Sequence, residues 1–140
     1  MRDSRKIIVD SGVLIAIIDS SDKWHLDCLN ALKKLPENTE YVTSESCIAE
    51  ATYILPNSKF VKKLEHIIQS LPLTTIALVP KDLARVFALM EKYQDQPMDF
   101  ADACVVALAE RLGITTVFTI DRRDFSIYKP NHATRFRVIP

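Results

Sequence analysis

Glycine is nearly missing from this 140-residue chain, with Gly12 and Gly113 as its whole complement. A phosphate-cradling P-loop and a dinucleotide fingerprint each need a glycine-rich turn, so both are excluded. Histidine is scarce as well. His25, His66 and His132 stand in unrelated segments, which gives little support to a histidine metal site or to histidine acid catalysis. A G-x-S-x-G elbow is absent, and with it the support for a serine-hydrolase triad. The three cysteines, Cys28, Cys47 and Cys104, show no C-x-x-C spacing and lie among helix-forming apolar residues. They read as reduced packing residues, in keeping with a cytoplasmic location. No apolar run approaches the roughly 18 to 20 residues that cross a bilayer. The first apolar stretch is interrupted by Asp10 and Asp19 and lacks a small-residue cleavage pattern, so neither secretion nor membrane association is expected. Nor is there an excess of one charge: 18 Lys plus Arg balance 18 Asp plus Glu. Any nucleic-acid partner must therefore be held by a local patch.

What is present is an ordinary globular composition, 48% apolar and 26% charged, long enough to bury a core and expected to form a single domain over residues 1–140. Ile7-Ile-Val9 reads as a short strand buried on both faces, and Ser11-Gly12 as its break. Helices are expected over 13–18, over 24–35 up to Pro36, and from a cap at Ser44 or Ser46 through Leu55 to a stop at Pro56. Ser58 is expected to cap a helix ending near Leu71-Pro72, and Pro80 or Asp82 to start another through Met90. Residues 99–112, closed by Gly113, carry the strongest helical pattern. Further strands are expected at 40–43, 76–79, 115–120 and, at the sheet edge or end, 136–139. Strands alternating with single or paired helices indicate an α/β fold with a mostly parallel sheet of about five strands, covered by helices on both faces. Trp24, Tyr53, Ile54 and Leu55 fit either core positions or a partner or dimer face.

The informative residues are carboxylates at the edges of these elements. Asp10 ends the first strand, Glu50 sits inside an apolar helical stretch, Asp99 and Asp102 open the strongest helix, and Asp121 follows the fourth strand, with Asp124 close behind. Ionised carboxylates avoid apolar surroundings unless paired or bound to a metal, so this placement suggests a divalent-cation site. In a parallel sheet, ligands bind outside the carboxyl ends of the strands, where Asp10 and Asp121 fall. Each residue also has an ordinary structural alternative. Asp10 and Asp99 have the pattern of helix N-caps, Glu50 that of an exposed helical residue, and Asp121 or Asp124 that of a cap on a short helix. Asp102 ranks above Asp99 as a metal ligand, because Ala101 and Ala103 beside it allow close approach. Arg122, Arg123, Lys129, Arg135 and Arg137 form the densest basic segment of the chain. They could hold phosphates or be a solvated charge run.

Taken together, Ile8-Val-Asp-Ser-Gly12, Ser44-Glu-Ser-Cys-Ile-Ala-Glu50, Pro97-Met-Asp-Phe-Ala-Asp-Ala103 and Thr119-Ile-Asp-Arg-Arg-Asp-Phe125 resemble the PIN-domain nucleases, most closely the VapC-type toxins of toxin–antitoxin pairs. The resemblance spans nearly the whole chain. It implies an α/β/α sandwich, RNA cleavage dependent on Mg²⁺ or Mn²⁺, a small antitoxin partner and a homodimer. It also implies that Asp10, Glu50, Asp102 and Asp121 form the catalytic and metal-binding quartet, with Asp99 and Asp124 as additional acidic positions. Either Asp121 or Asp124 can complete the set. Ser11, Arg122 and Arg123 are the residues expected to meet the RNA. Carboxylate oxygens are hard ligands suited to Mg²⁺ or Mn²⁺, and such ions catalyse phosphodiester hydrolysis without a protein nucleophile. An RNA-processing nuclease that is not a toxin is the alternative within the family. Outside it stand a phosphoacceptor domain, disfavoured because Ile76-Ala-Leu-Val-Pro80 offers no Asp, and a non-catalytic binding module.

Overall fold

A computed structural model describes residues 5–55 and 57–140. The residues before Arg5 and the expected helix stop at Pro56 lie outside them. β1 (Lys6–Val9) runs through the centre of a five-stranded sheet, and Ile7, Ile8 and Val9 are all buried. It pairs in parallel with β2 (Glu40–Ser44) on one side and β4 (Thr116–Phe118) on the other, so that Ile8 lies between Val42 and Val117. β3 (Thr74–Ile76) and β5 (Arg137–Ile139) form the edges, giving the order β3-β2-β1-β4-β5 with every neighbouring pair parallel. The expected sheet is therefore present, with β5 at an edge. β3 begins two residues earlier than its hydropathy suggests. Its register against β2 pairs Val42 with Thr74 and Ser44 with Ile76. An edge strand is defined by such backbone pairing, and Thr74 and Thr75 take part while remaining exposed. Val79 instead stands extended before Pro80, the first residue of α5 (Pro80–Lys92), where a missing N–H costs nothing.

Successive residues of a strand point to opposite faces, and the two faces of this sheet carry separate cores. Ile7, Val9, Tyr41 and Phe118 pack on one side with α1 (Ser11–Ile18), α2 (His25–Lys34) and α4 (Ser58–Ser70). Ile8, Val42 and Val117 pack on the other with α5, α6 (Phe100–Leu112) and α7 (Arg122–Ile127). α3 (Glu45–Ile54) touches both, through Ala51 and through Cys47. This is the expected α/β/α sandwich. α6 is buried at every residue from Ala101 to Ala109, and its alanines let the sheet and α5 approach closely. Gly113 ends it with φ 70°, in the left-handed region that glycine adopts without strain.

Two boundaries differ from expectation for identifiable reasons. Ser11 and Gly12 belong to the first turn of α1, because Asp10 caps that helix one residue after β1 ends. α4 is capped by Asn57, whose side chain accepts from Lys59 N–H at 3.0 Å, and Ser58 is the first helical residue. Leu55 is core and Trp24 is packed against it, whereas Tyr53 and Ile54 are 89% and 54% exposed. Among the described residues no helix is long and apolar enough to cross a membrane.

α5 and α6 are clamped by two ion pairs. Arg85 donates to both oxygens of Glu110 at 2.8 and 3.0 Å. Arg111 donates to Asp82, which at 4% exposure also accepts the Val79 N–H at 2.9 Å. Asp82 thus closes the start of α5 and ties it to the end of α6. Asp82→Ala is expected to cost about 1–2 kcal/mol, chiefly by leaving the Val79 N–H uncapped, since Arg111 is partly exposed and can be solvated instead. Urea unfolding of the variant beside the parent, with no change in denaturant slope, checks this.

Candidate active site

Parallel pairing places the carboxyl ends of β1 and β4 side by side. The Asp10 N–H bonds the Phe118 carbonyl at 2.9 Å, which carries the ladder one residue past β1 and holds Asp10 at the mouth of the sheet. Thr119 and Ile120 then lead from β4 to Asp121, and the start of α6 brings Asp102 to the same place. One carboxylate oxygen each from Asp10, Asp102 and Asp121 lie within 4.8 Å of one another. Gly12 lets the Ile120 side chain lie against the first turn of α1. A Cβ at that position would lie 2.8 Å from the Ile120 side chain, immediately before Asp121.

Asp10 is 2% exposed and is held on both oxygens. Its Oδ1 accepts the Ser11 N–H at 2.9 Å and is approached by the Cys47 thiol at 3.8 Å, and its Oδ2 accepts from Thr119 Oγ1 at 2.8 Å. Burial raises its pKa to about 6; the bonds from Thr119 and Ser11 pull it down, and the charges of Asp121 and Glu50 push it up again. The capping and cluster roles of Asp10 therefore coexist, because one carboxylate has oxygens enough for both.

Asp102 and Asp99 cap α6 reciprocally. Asp99 accepts the Asp102 N–H at 2.9 Å, and Asp102 Oδ2 accepts the Asp99 N–H at 3.2 Å. Asp99 is exposed and occupied as the cap, whereas Asp102 is 9% exposed and joins the cluster. Its pKa is raised by burial first, and then by the charges of Asp10 and Asp99.

Asp121 stands at the N-cap position of α7 without making a side-chain cap bond, and its own N–H is taken by Thr119 Oγ1 at 3.0 Å. Its carboxylate is thereby left to face Asp10 and Asp102. Burial, then the charges of Asp124 and Asp99, raise its pKa. Asp124 lies in the first turn of α7 and outside the three-carboxylate group. Glu50 also lies outside that group, but it is half-buried, its charge is felt at Asp10, and it accepts a short hydrogen bond from Ser11 Oγ.

The basic segment divides. The Arg122 guanidinium donates to the carbonyls of Val138 and Pro140, fastening α7 to the end of β5. Arg123 is exposed beside the acidic group in sequence, and Arg135 and Arg137 line a groove of about 510 Å³ along β5 together with Arg122. Sequence reasoning passed over Thr119, Cys47 and Tyr128. Thr119 binds Asp10 and Asp121 at once, and its position two residues before an Asp was the available signal. Cys47 is buried as expected but also faces Asp10, and its thiol is pushed up to about 12, first by burial and then by the Asp10 charge. The Tyr128 hydroxyl is buried without a hydrogen-bond partner, and its pKa is raised by burial and then by Asp102, Asp124, Asp99 and Asp121.

The chain is 28% identical over 137 residues to ribonuclease VapC26 of Mycobacterium tuberculosis, covering 96% of this chain and all of that one. Among solved structures it is similar to VapC20 of Mycobacterium tuberculosis, described as a sarcin–ricin loop cleaving toxin. The TM-score is 0.73 at 17% identity, over 84% of this chain and 93% of that one. It is similar also to VapBC2 of Rickettsia felis, solved on a DNA fragment from its promoter, with a TM-score of 0.72 at 14% identity over 96% and 99% of the two chains. The PIN domain model matches residues 7–129, from β1 past the end of α7 and including every carboxylate of the cluster, and the chain therefore belongs to the PIN domain family.

Proposed function

We propose that this chain is a divalent-metal-dependent endoribonuclease and the toxin of a toxin–antitoxin pair, acting in the cytoplasm as one nuclease unit over residues 1–140. The observation that carries this reading is the meeting of Asp10, Asp102 and Asp121 within 4.8 Å at the sheet mouth. The relationship to ribonuclease VapC26 supports RNA as the substrate. Toxin–antitoxin complexes among the structural relatives, from Klebsiella pneumoniae and Rickettsia felis, support a small antitoxin as partner. A homodimer is part of the same reading.

The donor set fits a hard cation. All three ligand atoms are carboxylate oxygens, which favour Mg²⁺ or Mn²⁺ over softer ions. Burial and mutual repulsion raise the pKa of all three groups, a cost that a bound cation would offset. Asp10, Asp102 and Asp121 would hold the ion, with Glu50 beside them. Once bound, it supplies Lewis acidity toward the phosphodiester and makes water a competent nucleophile near neutral pH.

The protein's own contributions follow from the contacts. Thr119 and the Ser11 N–H fix both oxygens of Asp10, so its orientation needs no rearrangement on binding. Ser11 Oγ holds Glu50, which faces the cluster as a proton acceptor for the attacking water. Arg123 meets phosphate oxygens of the strand. Arg122 meets them too, or supports the edge where they lie, through its bonds to Val138 and Pro140. Asp99 positions Asp102 through the reciprocal cap, and Asp124 adds negative charge next to Asp121.

A mixed small-RNA pool incubated with the purified protein should be cut in Mg²⁺ or Mn²⁺ and left intact in EDTA. Asp10→Asn should lower the rate by more than about a hundredfold, since loss of an orienting group around a metal already costs 10–100-fold. Cleavage by folded Asp10→Asn at the parental rate would remove Asp10 from the site.

A second expectation concerns pH. Asp10 keeps its proton to about pH 6 in the folded chain against 3.8 as the ordinary value. Between those values the folded state binds more protons than the unfolded one, so stability falls as pH rises. The loss is at most about 3 kcal/mol for a shift of this size. Urea unfolding in EDTA at pH 4 and pH 7 should show this decline, and Asp10→Asn should reduce it. Added Mg²⁺ should restore stability to the parent at pH 7 more than to the variant.

A further inference from the structure

Beside the carboxylate cluster, on the β2–β3 side, lies an open cavity of about 740 Å³. It adjoins the carboxylate cluster through Glu50, whose charge is felt at Asp10, and Asp99, which caps α6 reciprocally with Asp102. Its volume is within the roughly 300–1,000 Å³ of small-ligand pockets. Two features of the lining decide what it can hold. The walls include the apolar side chains of Ile76, Leu78 and Phe100, and Phe100 leaves 38% of its surface exposed directly after the Asp99 cap. The polar side chains are hydroxyls and carboxylates only, with Glu45 joining Glu50 and Asp99, and no Lys, Arg or His lies among the lining residues.

Such a surface repels a phosphate and accepts a flat apolar face whose edge carries hydrogen-bond donors. Nucleobases stack on aromatic side chains. Adenine, cytosine and guanine carry an exocyclic amino group that offers donors to the carboxylates, whereas uracil's one donor on that edge, N3–H, is flanked by two carbonyls that the carboxylates repel. We propose that this cavity is the subsite for one unpaired, amino-bearing nucleobase adjoining the scissile phosphate, with Phe100 as the stacking residue and Glu45 among the acceptors that select the base. The proposal rests on the nuclease reading for the strand to which the base belongs. It gives the protein a preference for sequence at the cut that the acidic cluster, which sees only phosphate and water, cannot supply.

The test separates the two claims. The full chain is titrated in EDTA with adenosine, cytidine, uridine, ribose and N-acetylarginine amide, followed by NMR shifts of Ile76, Leu78 and Phe100. Adenosine and cytidine should shift these residues, uridine should bind at least about fivefold more weakly, and ribose should leave them unmoved. Phe100→Ala, a substitution at a partly exposed position, should weaken adenosine by roughly fivefold to a hundredfold, the range of base–aromatic stacking. Ala49→Trp, which fills the cavity from α3, should abolish the shifts. On a randomised RNA pool the parent should then disfavour uracil at one position flanking the cut, and Phe100→Ala should lose that bias. Absence of shifts with every nucleoside overturns the subsite even if RNA is cut, and so does equal binding of uridine and adenosine. Binding of the guanidinium probe alone overturns it in favour of a partner protein's arginine. Nucleoside shifts from a protein that cuts no RNA retain the base pocket and retire the nuclease reading.

Discussion

The crowding of carboxylates in a poorly solvated place is the constraint on which the rest of this structure turns. Asp10, Asp102 and Asp121 repel one another, and burial makes each less able to ionise. A fold left to minimise its own energy would separate them. Here the carboxylates of Asp10 and Asp102 are fixed by hydrogen bonds, Asp10 by Thr119 and Ser11 and Asp102 by the reciprocal cap with Asp99, while Asp121 is anchored only at its N–H, by the Thr119 hydroxyl. Two bonds from one threonine tie two of the three acids. Bringing them together costs stability locally, since each is easier to ionise apart from the others.

The remainder of the molecule supplies the force that holds this arrangement. The sheet is buried on both faces, and α6 is buried along nearly its whole length, so the strand ends and the helix start that carry the acids cannot drift apart without opening a core. The ion pairs between α5 and α6 add a polar brace at the opposite end of α6 from Asp102. Specificity, by contrast, has to come from outside the cluster. An apolar, acid-rimmed cavity lies beside β2 and β3, and an arginine-lined groove runs along β5, so the two edges of the sheet carry opposite chemistries.

Much of this was legible in the chain. β1 announced itself as a β-branched apolar run, β4 as part of the apolar run 115–120, and α6 by its helical pattern and its closing Gly113. The edge strand β3 was misplaced because two exposed threonines take part in its pairing and hydropathy cannot report a backbone register. Asn57 rather than Ser58 caps α4 because both residues can cap and only the backbone conformation chooses between them. Asp10, Asp102 and Asp121, which the structure brings together, stood out in the chain by their position at element ends. The choice between Asp121 and Asp124 was not legible, since both precede or open the same short helix.

The sequence by itself determined the α/β class, the parallel sheet and the list of acidic candidates, because periodicity, caps and strand-ending carboxylates are local properties. The tertiary structure alone decided which of those acids meet. That outcome depends on β1 and β4 being neighbours although more than a hundred residues separate them, and on the start of α6 being packed against the same strand ends. A carboxylate's local sequence fixes the element it sits on. Whether another charge stands within 4.8 Å is fixed by how those elements pack.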